Sequence, residues 1–245
     1  DIIIKDLSFS YSGSEYNLVL KDLDFAIPAK KITAIVGASG SGKTTLMKLL
    51  LKYFCPIKGK IFLGQTDFEN IHSGNWRNKC GVVLQEGYIF SDTIANNVAL
   101  GDLVVDFDKL ERSLRMACID DFVFKELPSK HLTKIGEEGL GLSRGQVQRL
   151  LLARAIYKDP ACIFLDEATS SLDADLEKRI MDNLENFFRG KTVIIIAHRL
   201  STVKNADKII MLDQGKIVEE GTHQSLVEKR QRYYHLIKNQ LELGE

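Results

Sequence analysis

The sequence predicts an α/β fold: a largely parallel sheet covered on both faces, preceded by an antiparallel β subdomain and interrupted by a helical one. Three observations predict it. Residues 1–36 alternate in strand fashion. Short apolar runs such as ACIFLD and TVIIIA then alternate with helix-period stretches. Between them, 86–158 reads mostly as helix.

The elements follow in order. IIIKDLSFSY and LVLKDLDFAI, separated by a polar SGSE turn, read as paired N-terminal strands, and KITAIVG after Pro28 as a buried strand. From Lys43 the period becomes helical through TTLMKLLLKYF, a helix expected to end before Pro56, and GKIFLG is a short strand. In the helical segment DKLERSLRMACI places Leu110, Leu114 and Ala117 on one face, and QVQRLLLARAIYK forms a second helix. The α/β pattern resumes with ACIFLD and with DLEKRIMDNLENFF, where Leu176, Ile180, Leu184 and Phe187 are in register. TVIIIA follows, then a hairpin about Gln214–Gly215 and a polar terminal helix with an aromatic patch. The whole chain, 1–245, is one domain on this reading. Residues 1–85 and 159–245 supply the β subdomain and the α/β core, and 86–158 the helical subdomain.

Composition bounds the function. Hydrophobic residues make up 44% of the 245, enough for a sizeable core. The 33 basic residues balance 33 acidic ones, so no global field draws the protein to nucleic acid or an anionic membrane. Cys55, Cys80, Cys118 and Cys162 form no C-x-x-C pair, the pattern of reduced thiols in a cytosolic setting. The apolar runs are strand-sized and fall short of the roughly 20 residues of a membrane helix. The chain opens on DIII, with neither Met nor a signal-like segment, and reads as a domain of a longer polypeptide.

The strongest local signal is GASGSGKT, comprising Gly37, Ala38, Ser39, Gly40, Ser41, Gly42, Lys43 and Thr44, with Thr45 next. It matches G-x-x-x-x-G-K-[ST] directly after a buried strand and before a helix, the context a phosphate loop requires. Glycines let backbone N–H groups close around phosphates, and the helix N-terminus adds its dipole. Lys43 is expected to reach the β- and γ-phosphates and Thr44 to ligate Mg²⁺. CIFLDE delivers Asp166, a Mg²⁺-shell acceptor, and Glu167, which projects to the opposite side and suits a base for the attacking water. His198, after TVIIIA, is placed to meet a γ-phosphate or hold that water. The fold class is then a P-loop NTPase core.

GASGSGKT, Gln85 in GVVLQE, LSRGQ, CIFLDE, SSLD and AHR, in this order and spacing, resemble the nucleotide-binding domain of an ATP-binding cassette (ABC) transporter over essentially the whole chain. The resemblance implies that Tyr11 stacks on adenine and that Gln85 touches Mg²⁺ and the attacking water and couples to a membrane domain. Ser143, Gly145 and Gln146 match the signature that closes over the ATP of a second copy. Asp173 matches the loop that crosses the dimer interface, and His198 the switch histidine. KIGEEGLGLSRGQ, with Glu137, and GYIFSDTIANNV resemble export-type members. The implied function is ATP hydrolysis driving export, peptide among the substrates of such relatives, by a head-to-tail homodimer attached to transmembrane domains. The implied ligands are ATP and Mg²⁺, and the implied location is the cytoplasmic face of the membrane. An importer ATPase is the nearest alternative, and a soluble cassette acting on nucleic acid or ribosomes a more distant one; nucleic acid is not an expected partner.

One position departs from the family. Arg144 replaces the first glycine of the usual LSGGQ. A side chain forced to positive φ costs about 1–2 kcal/mol, so Arg144 is expected to hold ordinary φ, and Gly145 to be the glycine the site needs.

Overall fold

In a computed structural model the chain divides into two compact units, Asp1–Cys80 with Gly190–Glu245, and Gly81–Arg189. The structure describes residues 1–85, 87–166, 168, 172–197 and 203–242. The first unit opens with β1 (Ile2–Phe9), β2 (Leu20–Ile27), β3 (Ile32–Val36), α1 (Lys43–Leu50), β4 (Lys58–Leu63), β5 (Thr66–Asp67) and α2 (Ser73–Asn78). Strand β6 (Cys80–Val83) leads into the second. That unit continues with β7 (Asp92–Thr93), α3 (Ile94–Val98), α4 (Phe107–Met116), β8 (Lys134–Ile135), α5 (Arg144–Tyr157), β9 (Cys162–Asp166) and α6 (Ala174–Phe188). The first unit then resumes with β10 (Thr192–Ile196), β11 (Lys208–Asp213), β12 (Lys216–Gly221), α7 (His223–Lys229) and α8 (Arg232–Glu242).

The N-terminal antiparallel sheet has the order β2-β1-β4-β5. Its core face uses Ile2, Ile4, Leu7 and Phe9 of β1, all buried. The step from Ile4 to Leu7 breaks the period of two. A register shift there, with Asp6 at φ 48°, resets the phase so that Leu7 points inward again. Lys58 sits between the two bulge-side carboxylates, 3.1 Å from Asp6 and 3.3 Å from Asp22.

In the same unit β3 runs parallel to β10 on one side and to β11 on the other, and β12 returns antiparallel beside β11. A strand flanked and covered this way reads as an unbroken apolar run, and Ala34 and Ile35 of β3 are fully buried. The β11–β12 hairpin turns on Gln214 and Gly215 at φ 48° and 80°, the paired positive φ of a type I′ turn.

Two expectations are corrected. Helix α1 stops at Leu50 rather than before Pro56. Its end is taken over by tertiary partners: the Trp76 indole N–H donates to the Leu50 carbonyl at 2.7 Å, and Lys52, at φ 57°, turns its ammonium onto the carbonyls of Phe68 and Ile71. The C-terminal segment forms two helices, parted at Arg230 with φ 52°. Helix α8 is docked through an ion pair from Arg232 to Asp213, and its Tyr233, 1% exposed, donates its N–H to Glu219 at 2.9 Å. In the second unit, 86–158 is mostly helical, as the sequence predicts, and also carries one short strand pair. Strands β7 and β8 pair antiparallel within it, Asp92 opposite Ile135. Elsewhere the helical pattern holds. Asp106 caps α4 by accepting from the Lys109 N–H at 3.0 Å, and Leu110, Leu114 and Ala117 are fully buried. Burial of each such leucine is worth about 1.5–3 kcal/mol. On α6, Ile180, Leu184 and Phe187 are buried, while Leu176 is only partly so. Strand β9 is buried along its length and lies beside β6.

Candidate functional site

The phosphate loop lies in the first unit, between β3 and α1. Gly37 leaves the strand at φ 147°, and a Cβ there would fall 2.0 Å from the Leu212 carbonyl oxygen, so no other residue fits. The Ser41 N–H closes the curl onto the Ala38 carbonyl at 3.2 Å, and α1 begins at Lys43. The Lys43 side chain folds back over the loop, its Nζ donating to the carbonyls of Gly37 and Ala38, both at 2.8 Å. The residue is only 6% exposed. Ser41 Oγ is buried with no hydrogen-bond partner among the described residues. A cation, a helix N-terminus and an unused hydroxyl in one tight curl form a cradle for phosphate oxygens. Thr44 and Thr45 occupy the first turn of α1.

Tyr11 belongs to the same unit. Its hydroxyl shares a hydrogen bond with Thr45 Oγ1 at 3.0 Å, and its ring stands edge-on to Phe9 and Phe54 at 5.1 and 5.3 Å. The residue is still 55% exposed. A ring fixed by its hydroxyl and by two aromatic neighbours, yet open to solvent, offers a stacking face for a base. It is not a filler of the core edge.

The second unit carries the other predicted residues. Gln85 is exposed just past β6, and Asp166 is 1% exposed at the end of the buried strand β9. Ser143 is the N-cap of α5. Its Oγ accepts from the Gln146 N–H at 3.2 Å while Gln146 Oε1 accepts from the Ser143 N–H at 2.9 Å, a complete capping box. Arg144 is exposed in the first turn and Gly145, half-buried, follows it. Arg144 is absent from the positive-φ residues, as its replacement of a glycine requires. Asp173 caps α6, Oδ1 accepting from the Leu176 N–H at 2.8 Å, and Glu137 is exposed. Glu167 and His198 lie outside the described residues, as do Ser170 and Ser171 of SSLD.

Sequence reasoning passed over two features of the second unit. The S-x-x-Q spacing at 143–146 signalled the capping box. Asn97, almost fully buried, donates Nδ2 to the Phe90 carbonyl and accepts from the Phe90 N–H, both at 2.9 Å, fixing the segment that follows Gln85. The signal was Arg154, a cation inside the apolar run LLLARAI, which holds Asn97 from α5.

A family model described as ABC transporter matches residues 20–170, well over half of the chain. The chain belongs to the ABC transporter family. Among curated ABC proteins, an ATP-dependent lipid A-core flippase of Cupriavidus pinatubonensis is 42% identical over 93% of this chain and 39% of its own length. The alpha-hemolysin translocation ATP-binding protein HlyB of Escherichia coli O157:H7 is 42% identical over 96% of this chain and 33% of its own. A solved structure, a bacterial Atm1-family ABC exporter with ATP bound, superposes with a TM-score of 0.91 at 34% identity, covering 98% of this chain and 41% of that one. The chain thus spans well under half the length of these relatives. It is an ATP-binding, ABC-type ATPase domain with the P-loop NTPase fold the sequence predicts, and its similarities run to exporters rather than importers. Among the described residues no helix is long and apolar enough to cross a membrane.

Proposed function

We propose that this ABC domain hydrolyses ATP to drive export through transmembrane domains on the cytoplasmic face of a membrane, as one of two identical copies closing head to tail. The signature subdomain is 86–158. Tyr11 stacks on adenine, and the N–H groups of Gly37–Thr45 with Lys43 hold the phosphates. The hydroxyl of Thr44, the amide of Gln85 and the carboxylate of Asp166 are hard oxygen donors of the kind Mg²⁺ takes, and they would hold it with the phosphates. No group of three His, Cys, Asp or Glu among the described residues forms a separate metal cage. When bound, the ion neutralises charge on the β- and γ-phosphate oxygens. Glu167 takes the proton of the attacking water, and His198 and Gln85 orient that water and the γ-phosphate. Ser143, Gly145 and Gln146 of one copy close over the ATP of the other, presenting a capped helix N-terminus to negative charge.

The observation that carries this reading is the Lys43 ammonium drawn into its own loop by the Gly37 and Ala38 carbonyls. Those bonds hold the ammonium at the mouth of a glycine-rich curl, where it can meet phosphate oxygens. Export is supported by the lipid A flippase, the hemolysin translocation protein and the Atm1-family exporter. The test pairs two variants. Lys43→Ala is expected to lose ATP affinity, and Glu167→Gln to keep it while turnover falls about 10²–10⁴-fold. Parent-like affinity in the first or parent-like turnover in the second discards the assignment concerned. A reading frame with about six membrane spans ahead of Asp1 supports the exporter; a separately encoded domain points to an importer.

A further inference from the structure

The β11–β12 turn meets the phosphate loop from behind. The Gly215 N–H donates to the Ser41 carbonyl at 3.1 Å, and the Gly215 carbonyl accepts from the Lys21 N–H at 2.9 Å. A second contact lies three residues earlier, where the Leu212 carbonyl oxygen fills the space a Cβ on Gly37 would need. Residues 212–215 therefore support the loop at its first glycine and again near its end. Gly215 stands at φ 80°, and a Cβ on it would lie 2.2 Å from the Val19 carbonyl oxygen. Both the backbone angle and the space exclude a side chain.

The support has a direction. The Ser41 carbonyl and the Gly42 N–H belong to one peptide unit, which is planar and trans, so the two groups point oppositely. Holding the carbonyl toward Gly215 turns the Gly42 N–H away from the hairpin. That N–H is one of the donors a phosphate loop uses.

We infer that the Gln214–Gly215 turn is a positioning element of the nucleotide site: it fixes the direction of the Gly42 N–H, and Gly215 is the residue that lets the turn seat against Val19 with its N–H on the Ser41 carbonyl. This rests on reading Gly37–Thr44 as the ATP phosphate site. Gly215 lies outside the phosphate-loop motif and outside the segment matched by the family model.

The test compares Gly215→Ala with Gly64→Ala in the 245-residue chain. Gly64 also has positive φ, 62°, but nothing lies within 4 Å of its missing Cβ. Both variants carry the left-handed strain; only Gly215→Ala adds a collision, with the Val19 carbonyl, that displaces the turn and with it the Gly215 N–H that holds the Ser41 carbonyl. Gly215→Ala is expected to raise the ATP Kd and KM about tenfold or more, with kcat at saturation within about threefold of the parent. Gly64→Ala should leave the ATP Kd unchanged, whatever it does to Tm. Parent-like ATP affinity in Gly215→Ala, or equal loss in Gly64→Ala, overturns the inference while leaving the phosphate site intact. A parent chain that binds no ATP overturns both. Should Gly215→Ala not fold, hydrogen exchange in the unmodified chain decides: the Gly215 amide is expected to exchange more slowly when ADP is added, and an unchanged rate overturns the inference.

Discussion

Arg154 holds Asn97 at two points: its Nε donates to the Asn97 carbonyl at 2.7 Å and its Nη2 to Asn97 Oδ1 at 3.1 Å. Its Nη1 reaches the Tyr88 carbonyl at 2.9 Å, and the guanidinium lies over the Phe90 ring, 5.6 Å from the centroid. Burial lowers its pKa from the usual arginine value. One side chain of the signature helix thus fastens the segment that follows Gln85.

Arg154→Met is expected to destabilise the chain by about 2–4 kcal/mol, since it strands acceptors that had a charged donor. Arg154→Lys should recover little, because a point charge cannot span three separated acceptors. Urea denaturation of the three proteins checks this, and a lysine variant as stable as the parent would refute the geometric argument.

The capping box makes its own claim about the signature. Ser143→Ala should cost about 1 kcal/mol of stability. Arg144 sits exposed in ordinary helical backbone, so Arg144→Gly should leave the ATPase rate within about twofold, an exposed first-turn change being worth only a few tenths of a kcal/mol. Gly145→Arg should abolish turnover. Steady-state ATPase assays compare the two, and equal damage from both would remove the distinction between adjacent positions.

Tyr11 separates stacking from anchoring. Tyr11→Ala should weaken ATP binding about 5- to 150-fold, in keeping with about 1–3 kcal/mol for a base on an aromatic face. Tyr11→Phe keeps the face and loses only the bond to Thr45, so its affinity should stay near the parent's. Titration with a fluorescent ATP analogue distinguishes these outcomes.

The C-terminal helices carry a pH dependence. His223 Nδ1 lies 2.8 Å from the Tyr233 hydroxyl. Burial, and then the charge of Lys204, push the His223 pKa below its ordinary 6.5. Burial also pushes Tyr233 up to about 12, so its phenol stays neutral throughout. The folded state therefore binds the His223 proton less readily than the unfolded state. Stability from this pair is full above the unfolded pKa near 6.5 and falls as pH drops toward the lowered folded value. Tm measured from pH 8 to pH 5 should fall less steeply in His223→Gln than in the parent; parallel curves would show that the pair does not titrate as described.

Much of the site was legible because its chemistry is local. A glycine-rich curl between a buried strand and a helix needs only neighbouring residues, and Gly37–Thr44 fold accordingly. Asp166 at a strand end and the ordinary φ of Arg144 follow from the same short-range rules. What escaped was set by distant partners. Helix α2 is too short for periodicity to declare, yet its Trp76 ends α1. The break between α7 and α8 shows no proline or glycine; it is held by Glu219, Asp213 and His223, each far from it in sequence or on the other helix.

The longer strands and helices, the phosphate loop and the membership in the ABC family were therefore determined by sequence alone, because periodicity and motif spacing encode them within a few residues. Tertiary structure decided where elements end, that the half-buried Arg154 bonds backbone carbonyls, and that Gly215 supports a loop more than 170 residues earlier. Those relations depend on atoms meeting across the fold. A glycine shows why it must be glycine only when the carbonyl that fills its missing Cβ is in view.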